Sequence, residues 1–120
     1  MSISITDAAK VCHEAHRAFC AALGDHSQLP WEEAPGWLVR SAVNSVTFLL
    51  DNPNAKTSDL HEFWMAEKRR EGWAGAENKD EELKTHPGLL MLYSRLPLEQ
   101  RTKDQLFYNI VSALRPLIKD

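Results

Sequence analysis

Aromatic, basic and histidine side chains are concentrated between His61 and Tyr93, in a mixture suited to binding a planar, anionic small molecule. Two of the four tryptophans and two of the five histidines fall in this segment. Tryptophan stacks on nucleobases, at about 1–3 kcal/mol for each base, and lysine neutralises phosphate. We therefore predict a ligand-binding pocket built by the following residues: His61, Trp64, Lys68, Trp73, Lys79, Asp80, Lys84, His86 and Tyr93.

Helical spacing would place part of this set on one surface. His61, Trp64 and Lys68 follow one another at i, i+3 and i+7, which puts their side chains on one face of a helix. The pattern predicts a helix over residues 58–71 that ends at Gly72, a residue typical of helix C-termini.

The charged segment after this helix, residues 74–87, is expected to fold back over the face that carries His61. Only a short glycine-containing stretch joins the two, and folding back is the simplest way to cover Trp64 and Trp73 from water. The alternative is a solvated charged loop, with both tryptophans in the ordinary hydrophobic core.

Residues 6–23 repeat apolar side chains at helical spacing and predict the first helix. Its polar side carries His13, Glu14 and Arg17. From the residues alone, one interpretation of this side is a solvated face on which Arg17 pairs with Glu14. His16 follows His13 at i+3, whereas the zinc-protease pattern needs histidines at i and i+4, so we predict no metal site.

Two further apolar patterns predict helices over residues 37–51 and 97–115. Between the third and fourth helices, residues 72–96 show no regular pattern. The fold class expected from these segments is mainly α, with about four helices and an irregular loop between the last two. We predict one domain over residues 1–120, with N-terminal helices in residues 1–55 and a core motif in residues 58–115.

Composition limits the classes of protein that remain. A chain of 120 residues can bury a hydrophobic core, and a net charge of −3 with interspersed signs argues against binding a nucleic acid polymer. Cys12 and Cys20 are separated by roughly 12 Å along one helix, too far for a disulfide, which favours a reducing cytoplasm. No apolar run approaches the length of a membrane span, so we expect no membrane partner.

No motif in the sequence indicates catalysis or a bound cofactor. The chain has no Gly-rich phosphate loop, no G-x-S-x-G elbow and no paired-cysteine zinc pattern. Glu14, Glu62 and Asp80 have the chemistry to act with His61 or His86 as acid–base groups, but the sequence does not show that they converge. We therefore predict a binding module that is not an enzyme and needs no cofactor.

The segment around His61 also resembles the RyR domain, the repeat named after ryanodine receptors and found alone in bacterial and phage proteins. The resemblance is carried by residues that match in order and spacing: His61-Glu62-x-Trp64, Lys68, Gly72-Trp73, Lys79-Asp80, Lys84-x-His86-Pro87, Tyr93-x-x-Leu96 and Asp104. Two positions depart from the family pattern. Gly75 stands where the family usually has tyrosine, and Leu92 stands where it tends to have proline.

This resemblance implies a single RyR-type repeat, with short strands between the third and fourth helices. Bacterial RyR-domain proteins often begin with a helix that bears a run like His13-Glu14-x-x-Arg17, so the resemblance also implies that His13 and Arg17 lie at the edge of the pocket. It implies recognition of a nucleotide-like small molecule, which the protein would sense or sequester, as in phage–host immune signalling in the host cytoplasm. Because ryanodine receptor repeats face each other in pairs, it also implies a homodimer. The alternative is a protein–protein interaction module with no small-molecule ligand, in which His61 and Asp80 satisfy buried backbone groups.

Overall fold

The computed structural model describes residues 1–76, 79–80, 82–86, 89 and 92–119. Most of this part of the chain is helical: α1 (Ile5–Ala22), α2 (Gly36–Asp51), α3 (Thr57–Arg70) and α4 (Leu98–Leu114). Shorter elements complete it, namely the strands β1 (Ala74–Gly75) and β2 (Thr85–His86) and the 3₁₀ helices Trp31–Glu33, Tyr93–Arg95 and Arg115–Leu117. The prediction of a mainly α fold with about four helices and short strands after the third is confirmed.

Short polar side chains define where the first and third helices begin. The Ser4 hydroxyl accepts a hydrogen bond from the Asp7 amide at 3.0 Å, and the Asp7 carboxylate accepts one from the Ser4 amide at 3.1 Å. This reciprocal cap satisfies amide groups that have no partner inside the helix. At the start of α3, the Asp59 carboxylate accepts the Lys56 amide at 2.8 Å.

The main core lies where α1 packs against α2 and α4, with α3 closing the remaining side. The α1 surface in this core is made of small residues, Ala8 and Ala9, which are fully buried and let the neighbouring helices approach closely. Val46 and Leu49 of α2 and Val111 of α4 fill the space between them. A smaller cluster of Met65, Trp73 and Leu89, with Trp37 and Trp64 packed against it, lies beside this core.

The segment after α3 returns to it, as the sequence predicts. The Trp73 amide donates to the Lys68 carbonyl at 2.8 Å, and Gly72 adopts a φ of 92° to close this turn. Strand β1 then pairs in parallel with β2, with Ala74 opposite Thr85. This pairing brings the end of the charged segment back beside α3, while Pro87 lies outside the described residues.

No helix formed by the described residues combines the length and the apolar character required to cross a bilayer. Cys12 and Cys20 are both buried and both carry free thiols.

Candidate functional site

A cavity of about 210 Å³ lies among the four helices, with the segment after α3 forming one wall. Seven of the eleven residues predicted for a binding pocket line it: His13, His61, Trp64, Lys68, Trp73, Lys79 and His86. Each of the four helices contributes at least three lining residues. The cavity therefore depends on the packing of the whole bundle.

Lys68 forms a buried cationic wall of the cavity. Its side chain is only 3% exposed, and its ammonium group lies 4.8 Å from the centre of the Trp37 ring and 5.9 Å from that of Trp73. The Glu71 carboxylate lies 3.4 Å from the same group. Aromatic faces attract a desolvated cation, and the turn at Gly72 places the Trp73 ring close to the Lys68 ammonium group.

The neighbouring residue, Glu67, fixes α3 against α2. Its carboxylate is 4% exposed and accepts hydrogen bonds from the Ser41 hydroxyl and the Asn44 amide group, both at 2.9 Å. Buried carboxylates need such partners, because an unsatisfied one is costly to desolvate. These two bonds set the rotation of α3 and hence the direction in which Lys68 and Trp64 face the cavity.

Trp64 lies between two histidines. The His61 ring stacks on it with 5.8 Å between ring centres and 27° between planes, and the His86 ring meets it edge-on at 4.9 Å. His61 is itself held by Asp104 of α4, with 3.5 Å between Nδ1 and the carboxylate. The predicted fold-back of the charged segment is thus seen directly in the contact between His86 and Trp64.

Four predicted residues lie outside the cavity lining, each with a local partner. Arg17 pairs with Glu14 at 2.9 Å, which is the surface pair given as the alternative for this helix face. The other three stabilise the surrounding segment: Asp80 accepts the amides of Glu82 and Leu83, Lys84 donates to the Glu71 carbonyl, and Tyr93 contacts the His61 ring.

The lining residues that were not predicted from sequence include three with polar or aromatic chemistry suited to a ligand: His16 of α1, Trp37 of α2 and Lys103 of α4. His16 lies one helical turn after the buried Cys12, and this i, i+4 spacing on a packed face was the available signal. For Lys103, the available signal was its position next to Asp104, a residue of the motif that resembles the RyR domain. Nothing in local sequence marks Trp37, because its role depends on Lys68 of another helix.

The electrostatics of the cavity are set by burial and by its lysines. Burial lowers the pKa of His16 to about 4, and Lys103, His13 and Lys79 lower it as well. Burial likewise lowers the pKa of His86 to about 4, and Lys79 and Lys103 are the charged groups that lower it most. Both of these histidines are therefore neutral at pH 7, while the lysines bring positive charge to the cavity.

The described residues offer little for metal or thiol chemistry. In this part of the chain, no group of three or more histidine, cysteine, aspartate or glutamate side chains is arranged to hold a metal ion. Burial raises the pKa of Cys12 to about 12, which keeps its thiol protonated at neutral pH. What the cavity offers is aromatic surface, ammonium groups and neutral imidazoles.

No protein-family model matches the chain, and no curated protein matches it. The RyR-domain resemblance therefore stays a prediction that depends on the motif residues alone. A function for this chain has to be argued from the chemistry of the cavity.

Proposed function

We propose that the protein is a non-enzymatic binding module that takes a nucleotide-like, anionic small molecule into the cavity among its four helices. The observation that carries this proposal is the lining itself. Among the described lining residues, three lysines (Lys68, Lys79 and Lys103) stand against a single carboxylate, Asp104, and three tryptophans share the same space. Concave sites that combine aromatic surface with a few convergent polar groups are typical of small-molecule binding.

The aromatic side chains suit the planar part of such a ligand. Trp37 and Trp64 are half-buried, so each keeps some accessible ring surface, whereas Trp73 is 7% exposed and belongs to the smaller core cluster. Stacking on tryptophan tolerates any base, because every base has a π-face. We therefore assign base contact to Trp37 and Trp64 and a supporting role to Trp73.

The motif resemblance supports the same ligand class. RyR-type repeats are associated with recognition of nucleotide-like molecules, and a chain of this kind would sense such a signal or sequester it, as in phage–host immune signalling in the cytoplasm. Gly75, where the family usually has tyrosine, is exposed and lies in β1, so it adds no aromatic surface to the proposed site.

Thermal unfolding with a nucleotide panel tests the proposal. The panel holds mononucleotides, linear and cyclic dinucleotides and dinucleotide cofactors, each with its unphosphorylated nucleoside as the matched control. A ligand present at 100 times its Kd stabilises the folded state by about 2.7 kcal/mol, so a clear rise in Tm is expected for at least one nucleotide. If none raises the Tm, the proposal is wrong.

Native mass spectrometry of protein purified from its natural source separates this proposal from the alternative, a protein–protein interaction module. A nucleotide that co-purifies supports the binding module. Protein that carries no small molecule and co-purifies with a macromolecule supports the alternative.

A further inference from the structure

His16 brings a polar atom without a partner to the cavity. Within the described part of the chain, its Nε2 is buried and makes no hydrogen bond, and the residue is among those that line the cavity. Leaving a buried donor or acceptor unsatisfied is energetically costly. A polar group of a ligand would remove that cost, so this nitrogen marks a place where such a group fits.

Lys103 supplies a positive charge to the same region. It lines the cavity from α4, and no carboxylate of the described residues forms an ion pair with its ammonium group. Lys103 and Lys79 both lower the pKa of two histidines, His16 of α1 and His86 of β2. These two lysines therefore bring positive charge near both imidazoles, and all four side chains line the cavity.

The ammonium group of Lys68, unlike that of Lys103, has close partners among the described residues. Its ammonium group is covered by two indole rings and lies 3.4 Å from Glu71. Asp104, the carboxylate of the lining, is engaged with His61. Lys103, by contrast, forms no ion pair with a carboxylate of the described residues, and Asp25 acts on it only electrostatically.

We propose that His16 and Lys103, together with Lys79, form an anion subsite that holds one phosphate monoester group of a mononucleotide-like ligand. This inference rests on the function proposed above and specifies how the same cavity is used. A neutral imidazole donates through Nε2–H, while the ammonium group of Lys103 makes a charge-assisted hydrogen bond to a phosphate oxygen. The planar group of the ligand then extends towards Trp37 and Trp64.

The cavity is partly open, so its size limits how much of a ligand is enclosed. Its volume of about 210 Å³ falls below the roughly 300–1,000 Å³ that is typical of sites for drug-sized molecules. A second nucleoside would not be enclosed together with the first. The subsite is accordingly expected to favour mononucleotides over cyclic or linear dinucleotides.

Titration with inorganic phosphate, followed by NMR of the histidine ring protons, tests the subsite without any nucleotide. Phosphate should shift the His16 signals of the unmodified protein. Lys103→Met should weaken phosphate binding by about tenfold or more, as expected for losing a hydrogen bond to a charged group. Lys119→Met removes the same charge from an exposed site near the C-terminus and should change the affinity less than about twofold.

A second pair of variants tests His16 itself. His16→Gln should weaken binding of phosphate and of nucleoside monophosphates, and His26→Gln, at an exposed histidine outside the cavity, should not. Circular dichroism establishes that each variant is folded; if His16→Gln does not fold, the Lys103→Met and Lys119→Met pair decides. Nucleosides without phosphate should bind Lys103→Met and the unmodified protein equally.

The outcomes separate this inference from the proposed function. If nucleotides bind and Lys103→Met weakens them no more than Lys119→Met does, the subsite is wrong and the nucleotide-binding function stands. If phosphate binds in a Lys103-dependent way while no nucleotide binds, the subsite stands and the proposed function is wrong. A preference for dinucleotides over mononucleotides would overturn the size limit.

Discussion

The ammonium group of Lys68 lies 4.8 Å from the centre of the Trp37 ring, inside a cavity where it is only 3% exposed. Lys68 belongs to α3 and Trp37 to α2, so this contact joins two helices. A charge removed from water needs compensation, and here it comes from the Trp37 and Trp73 rings and from Glu71. Lys68 therefore acts first as a structural cation that orders the aromatic wall.

A double-mutant cycle should measure this contact. Lys68→Met keeps most of the buried volume and removes the charge, and Trp37→Leu removes the ring. We expect a coupling free energy of roughly 0.5–2 kcal/mol between the two substitutions, the range of cation–π pairs from exposed to desolvated. Urea unfolding of the unmodified protein, the two single variants and the double variant measures this coupling free energy. Strictly additive losses of unfolding free energy would contradict the role assigned to the pair.

The stability of the protein should depend on the protonation of His16. Its pKa is lowered from 6.5 to about 4, chiefly by burial and then by Lys103, His13 and Lys79, so the folded state favours the neutral ring. The resulting stability is complete above about pH 6.5 and is lost as the pH falls towards 4. Within that window the free energy of unfolding should fall by about 1.4 kcal/mol per pH unit on account of this group.

His16→Gln removes this titration while retaining a polar side chain. Urea unfolding of the variant and of the unmodified protein at about pH 7 and about pH 5 compares the two. The unmodified protein should lose more unfolding free energy on acidification than the variant does. Equal losses would show that protonation of His16 does not limit stability in this range.

Gly72 should not tolerate a side chain. Its φ of 92° lies in the left-handed region, where residues other than glycine are strained by about 1 kcal/mol or more. Gly72→Ala is therefore expected to lower the Tm and to loosen the turn that positions Trp73 over Lys68. Ligand binding should weaken together with stability, because the same turn builds the cavity wall.

Gly36→Ala is the matched control for Gly72→Ala. Gly36 opens α2 without a left-handed φ, and an added Cβ would meet only the end of the Arg40 side chain at 3.2 Å. Since that side chain is flexible and alanine favours helix, no loss of stability is expected. Differential scanning calorimetry of both variants tests the pair, and equal Tm changes would argue against backbone strain at Gly72.

The homodimer stays a prediction from the motif resemblance. Closed two-fold dimers are the commonest oligomers, and an isolated repeat could regain by self-association the surface that paired repeats share. Light scattering at high micromolar concentration should give about twice the chain mass of 13.6 kDa. A mass of one chain at that concentration would contradict it.

The four helices and the face shared by His61, Trp64 and Lys68 were predictable from sequence, because both depend on local spacing. Apolar residues at helical intervals form one stripe on the helix surface, which is buried whichever element packs against it. Gly72 ends α3 because its own backbone can adopt a positive φ. Predicting that residues 74–87 fold back over α3 was possible for a similar reason. The connection is short, and two tryptophans needed cover.

The tertiary structure alone decided which distant residues complete the cavity. His16 and Lys103 lie on α1 and α4, at nearly opposite ends of the sequence, and they come together only because those helices pack side by side. The Trp37 ring meets the Lys68 ammonium group across the interface between α2 and α3. Glu67 fixes that interface through its hydrogen bonds with Ser41 and Asn44. Periodicity shows which face of a helix is buried, but the choice of neighbour depends on the complementary shapes and polar partners of several helices at once.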